Sequence, residues 1–140
     1  MSYALSEPLQ VAVYNRLLSS PAVTSIVGTA IYDTPPPGEP YTLPPTHVTL
    51  GEERARPASS ATHKAAFHDF NVTVHTDHEG FSEAKLAAAE ICLALDDAPL
   101  ALSRGHLVSL RFLSARAERN TARRPRRVVL RFRAHLEDAA

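Results

Sequence analysis

The chain has 140 residues, one cysteine and a formal net charge of zero, enough for one domain that buries roughly two thirds of its unfolded surface. Zero net charge conceals an uneven distribution: from Ala101 onward ten arginines and three acids leave +7, and Met1 to Leu100, with five basic and twelve acidic residues, carries −7. The single Cys92 excludes an internal disulfide, no amino-terminal signal segment is apparent, and no apolar run reaches bilayer-spanning length. The expectation is a protein made in the cytoplasm, with no membrane partner.

Ser6-Glu7-Pro8 reads as a helix start, with a hydroxyl cap, an acid in the first turn and a proline whose missing N–H costs little. Leu9, Val13 and Leu17 continue it as an apolar stripe to about Ser19. Ser20-Pro21 repeats the signal for a short helix that stops at Gly28, and Ile31 to Asp33 is a brief strand or a loop entry. Residues 34–46 form a proline-rich loop: Asp33 to Pro45 holds six of the eleven prolines. Neither helix nor central strand tolerates that, so the segment is extended, as a stiff connector or a proline-motif ligand.

His47 to Glu53 alternates as a strand with Val48 and Leu50 inward. Residues 53–66 lack periodicity and large apolar groups, which predicts a flexible arm or hairpin tip. Phe67 to Thr76 is a clear strand, with Phe70, Val72 and Val74 on one face. Ser82 is read as the cap of a helix buried along Ala84, Ala87, Ala88, Ile91, Cys92 and Leu95, which Asp96-Asp97-Ala98-Pro99 ends. Cys92 is expected to be a buried, inert thiol.

The last third holds two long strands, His106 to Glu118 and Arg127 to Leu136. Val128, Leu130, Phe132, Ala134 and Leu136 share one parity, and Arg127, Arg131, Arg133 and His135 share the other. In a strand this gives one apolar and one cationic face. Residues 119–127, with Pro125, form a basic hairpin loop. The predicted fold class is α+β: a mainly antiparallel sheet with helices packed on one face and a long carboxy-terminal β-hairpin.

Catalytic and metal signatures do not emerge. His63, His68, His75 and His78 cluster in sequence, yet His68 and His75 have opposite parity on one strand, so no metal or cofactor is expected. Only five glycines are present, with no phosphate loop or nucleophile elbow. The Glu52-Glu53 and Asp96-Asp97 pairs are explained by element ends, so no enzyme is expected. The hairpin-loop cations Arg119, Arg123, Arg124, Arg126 and Arg127 remain as an interface, with Glu52, Glu53, Arg54, Arg56, His63 and Lys64 of the arm. A non-specific DNA-binding protein acting through that loop is the alternative.

The ordered features resemble the tail terminator, or head–tail joining, proteins of long-tailed phages and gene transfer agents. The resemblance covers nearly the whole chain. It rests on Leu9 to Tyr14, Ile26 to Asp33 leading into a proline-rich loop, His47 to Glu52, Asn71 to His75, Glu83 to Lys85, Leu107 to Phe112 and Val129 to Arg133. It implies a structural virion protein forming a homo-hexameric ring that stops growth of the tail tube. The implied partners are other copies of the chain, the tail tube protein, the head connector, and DNA passing through the channel.

Overall fold

The computed structural model describes residues 3–33, 44–58, 64–78, 80–119 and 126–138. The elements in chain order are α1 (Ser6–Leu18), α2 (Pro21–Val27), β1 (Ile31–Tyr32), β2 (Thr46–Pro57), β3 (Lys64–Thr76), α3 (Ser82–Leu95), β4 (His106–Arg119) and β5 (Arg126–Asp138). The strands form one sheet in the order β1-β2-β3-β5-β4. Only β1 runs parallel to its neighbour, and the other pairings are antiparallel. This is the α+β class read from the sequence, with the long hairpin of β4 and β5 at one side.

Alternation decides which face is covered. Val128, Leu130, Phe132, Ala134 and Leu136 of β5, with Phe70, Val72 and Val74 of β3 and Val48 and Leu50 of β2, are all buried. They join Leu9, Val13 and Leu17 of α1, Val23 and Val27 of α2, and Ala84, Ala87, Ala88, Ile91 and Leu95 of α3 in one core. The small alanines let the backbone of α3 lie close to the sheet. Every strand residue in that core comes from one face, so among the described residues the helices pack on that side alone.

Several local expectations need correction. Ser6 does not cap α1: Leu5 occupies the cap position without a side-chain bond, and Ser6 is the first helical residue, its hydroxyl donating to Glu53. Ser82 is likewise the first helical residue of α3, behind Phe81. Ser20 does cap α2, accepting from the Val23 N–H at 3.4 Å, and Gly28 ends that helix at φ +62°.

The expected arm is mostly sheet. Residues 53–57 continue β2 and residues 64–66 open β3, paired up to Pro57 opposite Ala66; residues 59–63 lie outside the described ones. The strands outlast the apolar pattern because the arginine stems lie along the sheet: the Arg56 guanidinium sits 4.7 Å from the Phe67 ring centre.

Gly105 turns the chain into β4 at φ +76°, and a Cβ there would lie 2.7 Å from Leu5 Cδ2 and 2.8 Å from the Glu137 carbonyl oxygen. Only glycine accommodates both the angle and that approach.

Candidate assembly surface

The face of the sheet opposite the helices is polar, and the strand registers align its side chains in rows. Arg54 stands opposite Asp69, Asp69 opposite Arg133, and Arg133 opposite Arg111, a row across four strands. One step to one side lie Arg56, Phe67, His135 and Ser109. One step to the other lie Asn71, Arg131 and Ser114, and beyond them Thr73, Val129 and Arg116. The last row holds His47, His75, Arg127 and Glu118, where the His47 and His75 rings stack 4.8 Å apart.

Salt links tie part of this face down. Arg133 grips Asp69 with two nitrogens at 2.8 and 3.0 Å. That pairing, against a smaller opposing effect of burial, holds the Asp69 carboxyl below its usual range and raises Arg133. Glu118 accepts from Arg116 at 2.9 Å and Arg127 at 2.7 Å, and both bonds hold its carboxyl below the usual range. Arg54, Arg111 and Arg131 are exposed and make no ion pair with another described residue.

A bulge separates the two acids the sequence singles out. The pairing of β2 with β3 slips between Gly51 and Glu53, and the extra residue, Glu52, takes φ +49°. The slip turns Glu53 from the open face to the helix side, opposite Phe70. There its Oε1 accepts from Ser6 Oγ at 2.6 Å and from the Tyr3 hydroxyl, and its Oε2 accepts from His68 Nδ1 at 2.9 Å. Burial disfavours the charged carboxylate, but the bonds from His68, Ser6 and Tyr3 outweigh it, and the Glu53 carboxyl sits at about 2. The bond to Glu53 in turn raises the Tyr3 phenol. Glu53 is therefore a fastener between the start of α1 and the sheet. Glu52 stays outside, accepting from Asn71 Nδ2 at 3.4 Å.

The other sequence candidates scatter. Arg119 and Arg126 face each other where β4 meets β5. Arg126 Nη1 donates to the His78 carbonyl at 3.1 Å and its guanidinium lies 5.9 Å from the Phe81 ring centre. Arg127 is held by Glu118, so the base of the expected free cationic loop is already engaged. Lys64 stands opposite Asp138 at the far end of the sheet. Arg123, Arg124 and His63 lie outside the described residues. Cys92 is half-buried against the core, and burial, then the charge of Asp96, pushes its thiol up.

His68 and His75 do face opposite sides, His68 buried and His75 on the open face. No three potential metal ligands converge among the described residues. The cavity beside Glu53, lined by Leu9, Val13, Leu50 and Phe70, measures about 30 Å³, room for a water molecule. Among the described residues no helix is long and apolar enough to cross a membrane. What the geometry offers is a set of surfaces: an arginine-rich sheet face and a 14-residue edge strand, β4, exposing Val108, Phe112 and Leu113. These surfaces are where the described residues concentrate exposed charge and exposed apolar side chains.

The family model for tail completion protein gp17 matches residues 11–137, and the chain belongs to that family, whose place is the tail of a virion. Among solved structures, it is similar to a chain in the virion of a native gene transfer agent particle. The two are 47% identical with a TM-score of 0.89, over 97% of this chain and 99% of that one. No curated protein matches it.

Proposed function

We propose that this chain forms a ring that terminates the tail tube and joins it to the head connector, with DNA passing through the central channel. It acts by assembly, without catalysis or cofactor. The observation that carries this reading is the likeness, along nearly the full length of both chains, to a protein of a gene transfer agent virion. The sheet's edges support the ring. One is the long strand β4 and the other is β2 with the two-residue β1. Two unlike edges suit a head-to-tail contact that repeats around an axis, and a strand edge with exposed apolar side chains is a ready surface for it. Binding of DNA by the hairpin loop alone is less well supported, since Arg126 and Arg127 already have partners at its base.

Deleting the chain from the producing cell tests the reading by electron microscopy of the particles. The expected result is heads without joined tails, and tubes whose lengths spread well beyond the normal single length. Unchanged tube length with tails still joined would contradict both roles.

A further inference from the structure

We propose that the helix-free sheet face is a binding surface for the phosphate backbone of duplex DNA. This goes beyond the channel reading by naming the surface that meets the DNA, and it rests on that reading for its place in the particle.

The alternation along each strand sends arginines from β2, β4 and β5 to the same side. The registers then bring Arg54, Arg133 and Arg111 into one row, with Arg56 and Arg131 in the rows on either side. Four strands at about 4.8 Å spacing make a platform about 14 Å wide, of the order of the duplex groove dimensions over which phosphates face one another. Guanidinium forks match phosphate oxygens two bonds at a time. Arg54, Arg111 and Arg131 are exposed and form no direct ion pair with a described residue, although the charge of Arg131 acts on Asp69 nearby. Asp69 and Glu118 bond to Arg133 and Arg116 and fix where those guanidinium groups sit.

The composition of the face argues for a polyanion over a protein. Protein interfaces have an apolar, charge-depleted centre. Here the centre is Asn71, Arg131, Asp69 and Arg133, and the four-strand rows contribute only Val129 and Phe67 as large apolar groups, Phe67 already lying under Arg56 and Arg133. Of the exposed apolar side chains of β4, Phe112 sits toward the helix side, packed edge-on to buried Phe132 at 5.9 Å, and Val108 and Leu113 stand at the two register slips, outside these rows. The contacts invoked here are to phosphates, which carry no sequence information directly, so the binding is expected to be independent of sequence.

The full-length purified protein is titrated with a random-sequence duplex at several salt concentrations. Each phosphate contact contributes about 0.9 to the slope of log affinity against log salt. The combined R54S/R111S/R131S variant is expected to lower that slope by about 3, R54K/R111K/R131K to keep it, and R123S/R124S/R126S to change it by less than half as much. The three altered arginines make no ion pair, so the serine variant should melt at the unaltered temperature, and the lysine variant guards against a folding effect. Failure of the unaltered chain to bind, an unchanged slope in the sheet variant, or a larger loss in the loop variant would overturn the proposal. A sheet variant that binds DNA normally but no longer docks on tail tubes would make the face a protein interface and overturn it too. Because this assay needs no particle, its failure is distinct from failure of the tail-terminator reading, which shows in tube length and joining.

Discussion

Glu53→Ala is expected to destabilise the protein by about 3 kcal/mol, measured by denaturant unfolding, whereas Glu52→Ala should stay within about 0.5 kcal/mol. The two residues are neighbours with the same charge, and only the bulge distinguishes them. Removing the Glu53 carboxylate strips Ser6 Oγ, the Tyr3 hydroxyl and His68 Nδ1 of their acceptor, and His68 is completely buried, with its Nε2 lacking a partner among the described residues. Glu52 loses one long bond at the surface.

The same carboxyl predicts a pH dependence with a definite sign. It lies at about 2 in the folded protein against 4.5 unperturbed, so the folded state favours the charged form. That stabilisation, about 3 kcal/mol, is fully present above pH 4.5. It is lost as pH falls through the window from 4.5 toward 2. Unfolding curves of the unaltered protein and of Glu53→Ala should therefore converge on acidification through that window. A constant gap between them would show that the network does not hold the proton off Glu53.

Phe132→Ala is expected to cost more, about 4 kcal/mol. Phe132 is fully buried in the middle of β5. Its ring lies 5.7 Å from that of Phe70 on β3 and 5.9 Å from that of Phe112 on β4, so it couples the edge strand to the sheet centre. Neighbours on the two flanking strands cannot both collapse into the space it vacates, which puts the loss at the upper end for a core truncation. Calorimetry should show a lower Tm, and hydrogen exchange should show the loss concentrated in the amides of β4 around Phe112. A cost below about 2 kcal/mol would mean the site relaxes and β4 is held by its backbone ladder alone.

The parts of the fold that were legible in the sequence are those where one local signal decides the outcome. Val128 to Leu136 alternates with Val129 as the one exception, Phe70 to Val74 alternates throughout, and Gly28 ends α2 as its position implies. The failures have a common cause in pairing that a single sequence does not fix. The slip at Glu52 sends Glu53 to the helix side, whereas along an unbroken strand it would share the open face with Thr49 and Gly51. Two further slips, at Val108 and Leu113, break the alternation of β4, so its faces could not be assigned from spacing. Ser6 carries a cap's chemistry but has a better partner 47 residues away.

The candidate site shows the same limit. The cationic parity of β5 was readable, and so was the basic loop, but the arginine platform exists only because the registers bring Arg54 and Arg56 of the presumed arm beside Asp69 and Phe67. Their sequence context, short of apolar residues, argues for an arm, whereas the stretch is the exposed end of a sheet strand paired with β3. What marks such a stretch is alternation itself: Arg54 and Arg56 share one parity, with small Ala55 between them.

The account stands or falls on where the protein sits. Cryo-electron microscopy of intact particles, reconstructed at the junction between head and tail, should place density with this fold as a single ring at the head-proximal end of the tube. A particle that lacks it there, or that repeats it along the length of the tube, would contradict the role assigned to it.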